Sequence, residues 1–317
     1  MIWLLLAPWA AWAVVRTLGI ERAWVPVCAV AFTPYAALTA PVPLVLALAT
    51  GQRLAVVVAA VALVALAAAV LPRGVGRPET ATGPRLRVLT ANLLLGRCSA
   101  EELLSLVRVA QVDLLALQEY TPEADEKLRD ELTRLLPYRS AQPAPGGRGS
   151  ALYSRYPLRS AGSRVNPGGH HDTYGVVVLP GAVPVEAHSV HPASLYHRRQ
   201  VPLWRAGLAE LPPAALDGPV RLLLGDVNAT LDHAPVRALL GTGYRDAAAV
   251  VGKGLLPTWP YAAYGRLPRI TLDHVLVDRR VRIAAVRVTR LAGTDHRAVY
   301  ADLVLPADGG GDSRVSP

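Results

Sequence analysis

Four short polar stretches each follow an apolar, strand-like run: Thr90-Ala91-Asn92, Leu117-Gln118-Glu119, Gly225-Asp226-Val227-Asn228 and Gly293-Thr294-Asp295-His296. Hydrolysis of a phosphate ester calls for such groups at strand ends. It needs a divalent cation, a group that activates water, and donors for the charge that builds on the phosphoryl oxygens. Mg2+ prefers oxygen ligands and keeps several waters, so one or two carboxylates suffice to hold it. Glu119 ends an apolar run, where an unpaired carboxylate is costly, and is the leading ligand candidate. Asp226 and Asn228, two apart at a strand end, are expected on the same side. They supply a carboxylate to orient or deprotonate water and an amide to donate to phosphate. Asp295-His296 offers a metal-side carboxylate and an imidazole able to work near neutral pH. Asp273, followed by His274, could hold His296 in the right tautomer, and His191 in Ser189-Val190-His191-Pro192 is a second imidazole for the phosphate. Singly, each has an ordinary explanation: Glu119 as an acid before Pro122, Asn92 and Gly-Asp-x-Asn as turns, His191 as a structural side chain. Their joint order points to one pocket.

The elements that must position these residues are legible between Arg85 and Leu305. Arg85 to Asn92 reads as a strand, and Ser99-Ala100-Glu101-Glu102 as a capping box opening a helix to about Ala110. Asp113 to Gln118 is a buried strand, and Pro122 to Leu136 a helix with Pro at its start. Strand-like runs follow at 150–154, 174–179, 183–190 and 220–224, with a helix over 198–211. A β-rich end occupies 271–277, 281–291 and 298–305. The mixture predicts an α+β domain of two sheets packed face to face with helices outside. The segments 143–149 and 166–172, the latter carrying His170 and His171, are either substrate-facing loops or plain surface turns.

Residues 1–71 are different in kind, with Arg16, Glu21, Arg22 and Arg53 as their only charges. Leu54 to Leu71 is close to the roughly 20 apolar residues that cross a hydrocarbon core. Trp24 to Ala49 is also uncharged, though Pro26, Pro34, Pro41 and Pro43 interrupt it, and Ile2 to Val15 is a shorter first run. Two or three transmembrane helices are expected over 1–71. A cleaved signal peptide fits less well, because no basic region precedes the first apolar run. Residues 72–84, rich in Pro and Gly, read as a flexible linker with a reach on the order of 20 Å. The domain itself spans 85–306, and 307–317 reads as a disordered tail. With three spans, Arg16, Arg22, Arg73, Arg77, Arg85 and Arg87 share the domain's side and only Arg53 faces the other. The positive-inside rule then places the domain in the cytoplasm.

The formal net charge is +9, and from Arg85 onward 28 Lys plus Arg stand against 22 Asp plus Glu. That favours anionic partners such as phosphates, nucleic acid or acidic lipid headgroups. Two cysteines, Cys28 and Cys98, lie in different segments, which excludes an intradomain disulfide and a cysteine zinc cluster.

From about residue 85 to 305 the chain resembles the endonuclease/exonuclease/phosphatase (DNase I-like) superfamily. The likeness rests on Thr90-Ala91-Asn92, Leu117-Gln118-Glu119, the stretch Gly149 to Pro157, Ser189-Val190-His191, Gly225-Asp226-Val227-Asn228, Thr258-Trp259-Pro260, Leu272-Asp273-His274 and Thr294-Asp295-His296. It implies a four-layer α/β/β/α sandwich and a phosphoesterase using Mg2+, or Mn2+. It further implies that Glu119 binds the metal with help from Asn92, and that Asp226 positions or activates water. Asn228 and His191 would contact the phosphate, Asp295 would support the metal or His296, and Asp273 would orient His296, the principal catalytic histidine. Trp259 would wall the site. Thr294 stands where Ser is usual, and His274 where Tyr is frequent; neither change removes a ligand.

Together these readings predict a membrane-tethered, multi-pass phosphoesterase hydrolysing a phosphate ester or anhydride, envelope-associated or lipid-linked. The resemblance is to a membrane-bound branch that carries its domain outside the cytoplasm, against the arginine count. A Mg2+-dependent nuclease is the second reading; it gains little from spans, and the aromatic content is low for base stacking. A non-catalytic membrane module is the third.

Overall fold

The computed structural model describes residues 2–215, 217–261 and 268–308. Its N-terminal part is helical: α1 (Ile2–Leu18), α2 (Trp24–Val30), α3 (Thr33–Thr39), α4 (Pro41–Thr50) and α5 (Arg53–Val70). Pro34 and Pro41 each sit in the first turn of a new helix, where the missing N–H costs nothing. The stretches 33–50 and 53–74 are long and apolar enough to cross a membrane; α1 is apolar but shorter. In α5 the small side chains of Ala55, Ala59 and Ala62 are buried, while Val57, Val61 and Val64 are exposed. Its outward face is therefore as apolar as its packed one.

The remainder is two six-stranded sheets. One has the order β11 (Arg282–Arg290), β12 (Arg297–Val304), β1 (Arg85–Asn92), β2 (Leu114–Gln118), β4 (Ser150–Ser154) and β3 (Tyr138–Gln142). The other runs β5 (Leu158–Val165), β6 (His171–Val177), β7 (Val185–Ser189), β8 (Val220–Asp226), β10 (Asp273–Asp278) and β9 (Tyr244–Asp246). Alternation along the strands builds three apolar layers. Leu86, Val88, Leu114 and Ala116 meet Leu222, Leu224, Val275 and Val277 between the sheets. Leu89, Leu115 and Leu117 instead face α6 (Ala100–Val109) and α7 (Pro122–Leu135). Leu223 and Leu276 face α8 (Val201–Ala209) and α9 (Ala234–Gly241) on the far side. The short α10 (Ala247–Val250) completes the elements, and the layers are α/β/β/α as expected.

Several local expectations need correction. Ser99 caps α6 by accepting from Glu102 N, but the carboxylate of Glu102 accepts from Ala292 N, so the capping box is formed on one side only. Residues 71–84 are docked on the domain and do not act as a flexible leash. Leu71–Gly74 is a 3-10 turn, and Glu79 accepts from Arg245, Arg282 and the Ile283 amide. Gly76 packs so closely that a Cβ there would lie 2.1 Å from the Val250 carbonyl oxygen. The expected tail begins ordered: Ala307 bridges Ala182, and Asp308 N donates to Gly181 O. Residues 309–317 lie outside the described residues.

Candidate active site

Every polar stretch singled out in the sequence comes to one edge of the sandwich. β1 and β2 are parallel and end together, bringing Asn92 beside Glu119. β7 and β8 are parallel and deliver His191 and Asp226 to the same edge. β10 runs antiparallel to β8, which sets Asp273 opposite Asp226, and β12 starts there just after His296. Beneath this edge a buried polar chain joins the sheets: Thr90 Oγ1 donates to Gln118 Oε1, and Gln118 Nε2 to Ser189 Oγ. Thr294 donates to Asn92 O and accepts from His296 N, so its hydroxyl ties the histidine loop to β1.

The side chains form a continuous set. Asn92 Nδ2 donates to Glu119 Oε1 at 3.1 Å and to Asp226 Oδ2 at 3.0 Å. Asp226 Oδ2 lies 3.7 Å from His191 Nε2 and 3.6 Å from His296 Nε2. His296 Nδ1 donates to Asp273 Oδ2 at 2.8 Å, which leaves Nε2 facing the cavity. Asp295 Oδ1 is 4.0 Å from His296 Nε2, and Asp295 Oδ2 accepts from Trp259 Nε1. Two backbone positions carry strain of the kind functional sites retain: Glu119 has φ +56° and Asn228 φ +50°.

Asn228 reaches the cavity by a different route from the one expected. β8 ends at Asp226, so strand alternation does not place it. A turn does, with Asp226 Oδ1 accepting from Asn228 N, while Asn228 Nδ2 donates to Pro192 O. The Asn92 oxygen is likewise committed, accepting from Leu94 N, so it is the amide nitrogen that sits between the two carboxylates. His274 takes no part: it is buried between Asp246 and Ala229 O.

Burial shapes the protonation states. It pushes the Asp226 carboxyl up to about 7, opposed by His296 and aided by Asp273 and Glu119. Burial also disfavours a charged His296, but the carboxylates of Asp273, Asp226 and Asp295 outweigh it and hold the ring up at about 10. His191 goes the other way; burial, with His170 and His296 nearby, keeps it well below the usual histidine range. Of the two histidines beside Asp226, the surroundings favour the charged form of His296 and the neutral form of His191.

The donor set fits a hard divalent cation. Glu119 and Asp273 both crowd Asp226, and Asp226 and Asp273 bring carboxylate oxygens within 4.8 Å of each other; His296 lies in the same cluster but as an imidazolium presents an N–H and no lone pair. Asp273 Oδ1 and Asp295 Oδ1 are buried with no hydrogen-bond partner among the described residues. Buried carboxylate oxygens of this kind need a cation or water.

Glu119, His191, Asp226, Asn228, Asp295 and His296 floor a cavity of about 690 Å3. Arg148 and His170, from the two loops singled out earlier, line it, whereas His171 does not. His170 stacks on His191 with ring centroids 4.6 Å apart. Sequence reasoning missed His233 and three residues of the N-terminal segment, Cys28, Ala31 and Phe32, which also line it. Only the apolar register of 24–32 offered a hint, and nothing local says that it folds back over the domain.

The family model for the endonuclease/exonuclease/phosphatase family matches residues 89–296. The chain belongs to that family. Membership makes it a phosphoric ester hydrolase. Solved structures agree on the fold. An endonuclease/exonuclease/phosphatase from Beutenbergia cavernae is 17% identical, with a TM-score of 0.55 over 70% of this chain and 72% of that one. TDP2 from D. rerio, in complex with single-strand DNA product, is 15% identical with a TM-score of 0.52 over 69% and 98%. Sphingomyelinase C from Streptomyces griseocarneus is 16% identical with a TM-score of 0.50 over 69% and 99%. No curated protein matches the chain in sequence. The structural relatives of this phosphoesterase thus include one on DNA and one named for a lipid.

Proposed function

We propose that this family member is a membrane-tethered, divalent-metal-dependent phosphoesterase acting on an envelope-associated or lipid-linked phosphate. The observation that carries the reading is the convergence of Glu119, Asp226, His191 and His296 on the floor of one cavity, with the buried Asn92 joining Glu119 to Asp226, in contacts of 3.0 to 3.9 Å.

Glu119, with Asp295, would hold Mg2+ or Mn2+, and Asn92 joins Glu119 to Asp226. When bound, the cation neutralises charge on the phosphoryl oxygens. The residues supply the rest. Asp226, its basicity raised by burial, accepts a proton from the attacking water. The new bond forms between water oxygen and phosphorus, and the bond from phosphorus to the leaving oxygen breaks. His296, held as imidazolium by Asp273, faces the developing charge and returns a proton to the leaving oxygen. The neutral His191 and the remaining N–H of Asn228 donate to the other phosphoryl oxygens. Asp295 braces Trp259 against the site.

The tether rests on the two apolar stretches 33–50 and 53–74 and the exposed apolar face of α5. Arg16 and Arg73 both pair with Asp232, which gives them a structural task independent of topology. That weakens the arginine count, and we place the domain outside the cytoplasm. A C-terminal reporter active only in the cytoplasm overturns that placement.

The central test is hydrolysis of bis(4-nitrophenyl) phosphate, sphingomyelin, polyprenyl pyrophosphate and plasmid DNA by the purified full chain, with Mg2+ and with chelator. Hydrolysis that chelator leaves intact sinks the metal assignment. Turnover of plasmid DNA with none of the others makes the protein a nuclease.

A further inference from the structure

The catalytic cavity is not built by the phosphoesterase domain alone. Its floor is Glu119, Asp226 and His296, but part of its wall is Cys28, Ala31 and Phe32. Cys28 is in the last turn of α2, and Ala31 and Phe32 form the break between α2 and α3, directly before the apolar stretch 33–50 begins. Three hydrogen bonds hold this break over the cavity. Trp24 Nε1 donates to Leu195 O at 2.9 Å, and Tyr35 OH donates to Arg269 O at 2.8 Å. His233 accepts from Thr230 N at Nδ1, so its Nε2 carries the proton and donates to Val27 O at 3.0 Å. The wall is apolar where the floor is charged, and Leu195 and Ile270 continue the apolar lining beside it.

A water-soluble phosphate ester has no use for such a wall. Resting on the phosphoesterase reading above, we infer that the N-terminal segment supplies a subsite for an aliphatic chain. The substrate is an amphiphilic phosphoester whose phosphate sits on the Glu119–Asp226–His296 floor. Its chain leaves along Cys28, Ala31 and Phe32 into the bilayer beside α3. The gradient from ionised floor to apolar wall orients the ester one way round, because the opposite orientation strips water from the phosphate against Phe32.

The test uses the full chain in phosphatidylcholine vesicles with Mg2+. The probes are two phosphodiesters sharing a 4-nitrophenolate leaving group, 4-nitrophenyl methyl phosphate and 4-nitrophenyl hexadecyl phosphate. The readout is the ratio of kcat/KM for the hexadecyl over the methyl ester, in the native protein and in Phe32→Asp, with Phe32→Leu as the conservative variant. Partition of the long ester into the bilayer raises its rate alike in all three proteins, so differences between them report the wall. The expected result is a fall of about tenfold or more in the ratio for Phe32→Asp, with recovery in Phe32→Leu, as loss of a buried apolar contact demands. An equal fall on both esters, which leaves the ratio unchanged, overturns the chain subsite while the phosphoesterase reading stands. Failure of the native protein to hydrolyse either ester overturns that reading and this inference with it.

Discussion

In the proposed mechanism Asp226 and His296 are the base and the acid, and their environment predicts how each substitution fails. Asp226→Asn keeps the shape but removes the base, so kcat is expected to fall by about 10²–10⁴ with the fold unchanged by circular dichroism. Asp273→Asn removes the foremost of the charges that hold His296 protonated. The His296 pKa then drops, and the alkaline limb of the pH–kcat profile moves to lower pH; an unmoved limb would show that His296 is not the acid. The same groups fix how stability depends on pH. Asp226 is raised from 3.8 to about 7 and His296 from 6.5 to about 10, so the folded state binds more protons than the unfolded one across both windows. Their contribution is therefore complete below the unfolded values and is lost as pH rises through the folded ones. Asp226→Asn is expected to flatten the Tm profile between pH 4 and 7 and leave the decline at higher pH. Because a cation needs the ionised carboxylate, added Mg2+ should raise Tm more at pH 8 than at pH 5. Differential scanning fluorimetry checks both.

At the scale of elements, two glycines decide positions that no side chain could. A Cβ at Gly225 would lie 2.1 Å from the Val190 carbonyl oxygen, where β8 crosses the exit of β7. Gly225→Ala must push those strands apart just before Asp226, so activity is expected to fall further than a stability loss of about 1–3 kcal/mol accounts for. Gly76 plays the same part for the segment docked between α5 and β1. Gly76→Val is expected to release it, and limited proteolysis within 75–84 should quicken. Glu79→Ala should do so more weakly: its ion pairs with Arg245 and Arg282 are only partly buried, still reached by solvent, and worth about 1 kcal/mol. Most elements with an apolar run or stripe were legible in the sequence, including the half-exposed β11, whereas two polar edge strands and a short helix were not. β3 and β5 were missed because they are edge strands with polar, half-exposed side chains. α9 was missed because eight residues behind a proline carry little periodicity.

Over the whole molecule, the N-terminal helices and the catalytic domain act as one body joined at Asp232. This carboxylate is fully buried and accepts from Arg73 at 2.8 and 2.7 Å and from Arg16 at 3.1 Å. Nearby, Ala234 N donates to Glu21 Oε1 and Arg205 to Glu21 O. Asp232→Ala leaves two guanidinium groups uncompensated in a largely buried place and should cost about 3–5 kcal/mol. The expected consequence is release of the helices from the domain, read as a lower Tm and faster proteolysis near residue 73. Since Phe32 and its neighbours wall the catalytic cavity, the same variant should impair turnover of the hexadecyl ester more than that of the methyl ester. A Tm within 1 °C of the native value would sink the joint.

The chain itself determined the fold class, most strands and which polar stretches stand at strand ends, because alternation and polar strand ends are local properties written into neighbouring residues. It also determined that residues 1–71 are largely apolar, with Arg16, Glu21, Arg22 and Arg53 as their only charges. Only tertiary structure decided that Asp273 stands across from Asp226, that Asn228 enters by a turn, and that Cys28, Ala31 and Phe32 close over a site assembled more than sixty residues later. Each of those depends on sheet register or on docking between segments far apart in the chain, and neither leaves a periodic trace in either partner alone.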